Sequence, residues 1–202
     1  SGIRKTHLLL VFASGALVFV SLWFFAFAPY QKARIMNFIN PLADIHGTGY
    51  NAFQSTIAVG SGEIIGKGLG FGTQSRLKFL PQPQSDFIFA AYAEEWGFVG
   101  SILLLVLYGL VFWRILYAST LGGSNFEILF GLGIGIFFMS HILVNIGMNL
   151  GLMPITGIPL PFMSYGGSQL LTEFAALGIL MSMRRYGRSV HRDDMKHEFI
   201  GA

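Results

Sequence analysis

The chain has 202 residues, of which 53% are hydrophobic and only 11% charged, with 20 phenylalanines and a mean hydropathy of +0.60. That balance excludes a soluble domain of this length and points to an integral membrane chain. The net charge is +3, but the bases sit at the borders of apolar runs rather than in one patch, which argues against nucleic acid as a partner; with no cysteine there is neither a disulfide framework nor a thiolate metal site.

Arg4 and Lys5 precede an uncharged run over residues 7–30 that is long enough to cross a hydrocarbon core of ~30 Å at 1.5 Å per residue. The opening Ser1-Gly2 in place of Met reads as a fragment or processed form. Residues 31–85 are polar and punctuated by Gly and Pro, the pattern of a long extramembrane loop. Its aromatic and aliphatic residues, among them Phe38, Phe53, Phe71 and Phe79, argue against disorder and for short helices on the membrane surface. Tyr50, Phe53 and Ile57 fall at helical spacing within it.

A second span is predicted over residues 87–113. Asp86 stands at its start, where a carboxylate has two readings. It can cap the helix by accepting backbone N–H groups, or it can be kept for function, because an acid at the edge of a low-dielectric region is costly. Glu94 and Glu95 lie farther along and are expected to face protein as hydrogen-bonded struts. Arg114 closes the span, and residues 114–125 read as a short loop.

A third span over residues 126–148 carries His141, Asn145 and Asn149 on one helical stripe, which must face protein or a wet cavity rather than lipid. No second histidine or carboxylate at ligand spacing makes this stripe a metal site. Residues 149–168 hold three prolines and four glycines and cannot form a regular helix. Irregular backbone at membrane depth survives only where it is buried in protein or lines a cavity, so this segment and Asp86 are expected to wall one pocket. Residues 169–183, with Glu173 inside, form a shorter fourth span, and the charged tail after it reads as aqueous. The fold class is thus an all-α, polytopic bundle of about four spans, a single membrane domain over residues 1–202, with a large loop between the first two.

With the N-terminus in the cytoplasm, Arg4, Lys5, Arg114, Arg184, Arg185, Arg188, Arg192 and Lys196 all lie inside. The Asp86 loop is then extracytoplasmic. Its bases Lys32, Arg34, Lys67, Arg76 and Lys78 call for an anionic ligand, for which phosphate is the usual match.

The strings NPLADIHGTGYNAFQS, IAVGSGEIIGKGLGFGTQS, LPQPQSDFIFAAYAEEWGFVG and NIGMNLGLMPITGIPLPFMSYGGS, followed by RRYGR, resemble the SEDS proteins of bacterial cell-wall synthesis, the RodA and FtsW glycosyltransferases. The GTQSRLKFLP segment leans towards RodA. The resemblance covers residue 34 to the final span and corresponds to the last four of about ten spans.

It implies an inverting transferase in the bacterial cytoplasmic membrane that polymerises lipid II and releases undecaprenyl pyrophosphate, working beside a class B penicillin-binding transpeptidase. It further implies that Asp86 is the essential loop aspartate, acting as a general base or as ligand to a divalent cation, Mg or Mn. Arg34, Lys67, Arg76 and Lys78, with Gln74, Ser164 and Tyr165, are the candidate substrate-binding residues, and Glu94, Glu95, His141, Asn145 and Glu173 the supporting polar ones. Gln82, Gln84 and Ser85 depart from the Glu, His and Thr common just before the aspartate. Competing readings are a flippase for the lipid-linked precursor, or a non-catalytic scaffold for a transpeptidase using the Gly-rich third span as a contact surface.

Overall fold

The computed structural model describes residues 5–39, 49–77, 79–80, 82–120 and 125–200. Every element among them is helical: α1 (Lys5–Phe25), α2 (Pro29–Ile39), α3 (Tyr50–Ser61), α4 (Thr73–Arg76), α5 (Ile88–Thr120), α6 (Asn125–Asn149) and α7 (Gly167–Ile200). The chain forms two compact units, Ser1–Tyr50 and Asn51–Ala202. The boundary falls within the stretch read from sequence as one loop.

In the first unit, α1 ends at Phe25 rather than running on to residue 30. Pro29 opens α2 instead, at the first helical position, where its missing N–H costs nothing. The Gln31 side chain, two residues on, accepts the Ala28 N–H at 2.9 Å, one half of a capping box. Lys32 lies over the Trp23 ring, 5.8 Å from its centroid.

In the second unit, α5 packs on α6 and both meet α7. Phe89, Ala93, Leu104, Tyr108, Ile142 and Leu160 form one buried cluster, and Ile115, Ile134, Phe138 and Leu180 another. Part of the Gly-rich stretch of α6 serves this packing through Gly131 and Gly135, while Gly133 faces open space between the exposed Leu132 and Ile136. A Cβ on Gly131 would lie 2.7 Å from the Ser119 Cβ, and one on Gly135 would lie 3.4 Å from the Phe112 ring. Ser119 fixes the same seam by donating to the Ile128 carbonyl at 2.8 Å.

Among the described residues, three helices are long and apolar enough to cross a membrane: Thr6–Phe25, Ile88–Thr120 and Asn125–Asn149. The helix at the fourth predicted span, α7, is longer than residues 169–183 and carries the charged tail as continuous helix. The loop expected from residue 114 is also helix as far as Thr120, because the residues after Arg114 keep helical spacing against α6 through Ile115 and Ser119. The short helix expected around Tyr50, Phe53 and Ile57 is α3. Phe53 and Ile57 are exposed, whereas Gln54, Ser55 and Ala58 are buried, because Ser55 has a hydrogen-bonding partner inside the unit.

Candidate functional site

Asp86 sits two residues before the start of α5, on a platform made by α6 and the irregular segment after it. The side-chain amides of Asn145 and Asn149 each donate to the Asp86 carbonyl at 3.1 Å. Asn145 also donates to the Ile158 carbonyl at 2.8 Å, tying the irregular segment to the same point. The Asn149 oxygen accepts the Ala90 N–H at 3.3 Å and the Ser55 hydroxyl at 3.1 Å. An otherwise orphaned first-turn amide of α5 is therefore capped from α6, not by Asp86. Among the described residues nothing donates to the Asp86 carboxylate. Gly157, at φ +75°, leaves it room: a Cβ there would lie 3.4 Å from Oδ2.

The loop ahead of Asp86 is held by the segment that was expected to meet it. Tyr165 N–H donates to the Gln84 carbonyl at 2.7 Å, and the Ser164 hydroxyl donates to the Ser85 carbonyl at 2.7 Å while accepting the Leu160 N–H. Beside these contacts opens a cavity of ≈ 530 Å³ lined by Ser75, Arg76, Leu80, Gln82, Pro83, Gln84, Ser85 and Tyr165. Arg76 and Tyr165 are exposed to it, whereas Ser164 is buried as a strut. Gln74 pairs its side chain with Gln54, and Lys78 lies outside the described residues.

Lys67 has a different place from the one expected of a phosphate ligand. Its ammonium donates to Glu94 at 2.8 Å and to Thr73 at 2.9 Å. Glu94, fully buried, also accepts the backbone N–H groups of Thr73 at 2.8 Å and Gln74 at 3.1 Å. This carboxylate holds the start of α4, and so places Arg76 at the groove. Glu95, one residue on, is half-buried beside Gly72.

Glycines let the loop approach so closely. At Gly97 (φ 67°, ψ −163°) α5 breaks, and the backbone of the loop fills the gap. Lys67 and Gly68 donate to the Glu94 and Glu95 carbonyls at 3.0 Å, while Phe98 and Val99 donate to the Glu63 and Ile64 carbonyls at 2.9 and 3.1 Å. A Cβ on Gly62 would lie 2.0 Å from the Ala93 oxygen, and one on Gly66 2.1 Å from the Glu95 oxygen.

Glu173 performs the same office for the irregular segment. It accepts the Phe162 N–H at 3.0 Å and the Gln169 side chain at 2.6 Å, and Tyr108 donates to the Pro161 carbonyl at 2.6 Å. Phe162 is thereby kept at φ 61°, a left-handed conformation that an aromatic residue rarely adopts.

The structure thus brings Asp86, Asn145, Ser164, Tyr165, Arg76 and Gln74 into one neighbourhood. His141 is a half-buried side chain against Phe137, with Nδ1 unpartnered among the described residues. Arg34 belongs to the first unit, where it lies over the Tyr30 ring at 6.0 Å. No group of three His, Cys, Asp or Glu side chains among the described residues could hold a metal ion. Asp86 by itself is no all-protein cation cage; a cation held there would need waters and substrate phosphate oxygens as its other ligands. Sequence reasoning missed Ser55 and Gly157, and placed Asn149 on the right stripe without its role as cap. Only the positive φ that Gly permits hinted at Gly157.

Comparison with known proteins follows the same segments. The profile of the family described as cell cycle protein (FtsW/RodA/SpoVE) matches residues 1–189. The chain is 43% identical over 171 residues to peptidoglycan glycosyltransferase MrdB of Escherichia coli K12, covering 85% of this chain and 46% of that protein. It is 40% identical over 190 residues to stage V sporulation protein E of Bacillus subtilis, covering 93% and 50%. Among solved structures, one described as structural coordination of polymerization and crosslinking by a peptidoglycan synthase complex aligns with a TM-score of 0.70 at 32% identity, over 92% of this chain and 51% of that one. A mutant of the Thermus thermophilus rod shape determining protein RodA aligns with a TM-score of 0.51 at 38% identity, over 60% and 38%. The chain spans about half the length of these relatives, or less.

Proposed function

Since the chain belongs to the FtsW/RodA/SpoVE family of cell cycle proteins, we propose that it carries the reaction centre of a peptidoglycan glycosyltransferase. In this reading it joins lipid II, the lipid-linked disaccharide-pentapeptide, into glycan strands at the outer face of the bacterial cytoplasmic membrane. The names of its relatives support the activity. One observation carries the site: Asp86 is fixed through its backbone while its carboxylate is left without a hydrogen-bond donor among the described residues.

A general base needs this arrangement, a positioned oxygen not already neutralised by a donor. The acceptor sugar hydroxyl attacks the anomeric carbon of the donor sugar, forming the new C–O bond as the bond to pyrophosphate breaks, with inversion. The hydroxyl proton passes to Asp86, and the electron pair leaves on undecaprenyl pyrophosphate. Arg76, in the groove, meets the negative charge that grows on the leaving phosphate. A divalent cation, when bound, would supply the same neutralisation, with Asp86 as its protein ligand. A class B penicillin-binding transpeptidase is the partner that would crosslink the product.

The test is polymerisation of lipid II by the full-length protein carrying Asp86→Asn. Asn keeps the shape but accepts no proton. The rate should fall by roughly 10² to 10⁴, the contribution of a positioned general base. Glycan strands made at close to the normal rate would overturn the assignment.

A further inference from the structure

The break in α5 lies at the edge of the stretch that can occupy hydrocarbon. At 33 residues, α5 is about 50 Å long at 1.5 Å per residue, well beyond a hydrocarbon core of ~30 Å. Its charges define which part fits. Between Glu95 and Arg114 the chain is uncharged over residues 96–113, about 27 Å of helix. Trp96 and Trp113 mark the two ends of that stretch, and both are exposed, at 43% and 61%. Exposed tryptophans bracketing an apolar segment are the signature of the two membrane interfaces.

The loop spliced into the break is therefore set at the same level as the outer interface. The Val99 N–H donates to the Ile64 carbonyl and the Phe98 N–H to that of Glu63, so Ile64 is fixed beside residues that lie inside the uncharged stretch. Ile64 is nevertheless 66% exposed and Ile65 82%, next to Phe98 at 63% and Val99 at 59%. Two isoleucines in water at the tip of a loop are an expensive choice: burying such a side chain is worth ~1.5–3 kcal/mol. Nor is the loop free to fold them in, since the ladder on both sides of Gly97 and the contacts of Gly62 and Gly66 leave its backbone one course.

We propose that Ile64 and Ile65 form a wedge inserted into the outer leaflet of the bilayer, anchoring the Glu94-held loop, and with it Arg76, at a fixed height over the membrane. The occupant of this apolar patch is lipid, because the patch is continuous with the exposed flank of α5 at Phe98, Val99 and Ile102. The ammonium of Lys67, just after the wedge, is neutralised by Glu94 and so does not oppose insertion. This inference rests on the membrane reading of α5, with the outer side set by the placement of Lys and Arg, and stands whether or not Asp86 is a base.

These 202 residues contain no cysteine, so in the full-length protein, with any cysteine outside them replaced by serine, Ile65→Cys gives one labelling position on an exposed side chain. An environment-sensitive fluorophore is attached there, and the protein is reconstituted into phosphatidylethanolamine and phosphatidylglycerol vesicles with plain or brominated acyl chains. Brominated lipid should quench the label more strongly than aqueous iodide does. Iodide quenching that equals or exceeds it would put the loop in water and overturn the proposal. Protection from both quenchers would overturn it too, showing that protein or a substrate lipid covers the patch instead. Thermal unfolding of the labelled protein, unchanged from the parent, verifies that the fold is intact.

Discussion

The Asn149 side chain holds Asp86 from behind, donating to its carbonyl at 3.1 Å while accepting the Ala90 N–H at 3.3 Å. One amide thus both fixes the residue and caps the helix that follows it. Asn149→Ala leaves the buried Ala90 amide unpaired, which costs ~1–3 kcal/mol. The melting temperature should drop, and the polymerisation rate per folded molecule should drop as well, because Asp86 keeps only the Asn145 half of its anchor. A lower melting temperature with unaltered turnover per folded molecule would show that Asn149 only caps.

Gly157 tests the space around the carboxylate. With φ at +75° and an added Cβ 3.4 Å from Asp86 Oδ2, Gly157→Ala imposes ~1–2 kcal/mol of backbone strain and sets a methyl group in contact with the oxygen proposed as the base. Turnover should fall more than stability does. Measuring both on one preparation decides the matter.

Glu94 and Lys67 make the opposite case, a pair whose effect is on folding. Removing the buried carboxylate with Glu94→Ala strands the Thr73 and Gln74 amides and should cost ~2–6 kcal/mol, about 1–3 for each unpaired group, while the Lys67 ammonium, 30% exposed, turns to water. Lys67→Ala leaves Glu94 with its amide donors and should cost less, ~1–3 kcal/mol. Equal melting temperatures for Lys67→Ala and the parent would restore Lys67 to the list of free phosphate ligands.

Arg76 is exposed at the groove. Arg76→Ala should change stability by less than ~0.5 kcal/mol, as surface substitutions do. Steady-state kinetics on lipid II should show the loss in kcat/KM. Unchanged kcat/KM would remove Arg76 from the site.

The splice in α5 gives a further check. Gly66→Ala places a Cβ 2.1 Å from the Glu95 oxygen at a positive φ, a contact no side-chain movement can relieve. Protease resistance of the loop over residues 62–76 should be lost, while α5 and α6 stay paired. Limited proteolysis read by mass spectrometry shows where cleavage begins.

Much of this was legible in the chain itself. Long uncharged runs located the spans, because a membrane helix must solvate its side chains along its own length. The prolines and glycines of residues 149–168 marked the irregular segment, because Pro lacks the N–H a helix needs. The stripe of Asn145 and Asn149 had to face inward for the same local reason.

What only the tertiary structure decided was which polar groups pair. Sequence left Asp86 poised between helix cap and free carboxylate; Asn149, 63 residues away, took the capping role and released the carboxylate. Lys67 looked like any exposed loop base until Glu94, 27 residues on, claimed it. Periodicity and solvation are properties of a segment and can be read along it. A hydrogen bond needs two partners within about 3 Å, and when they lie far apart in the chain only the fold determines that they meet.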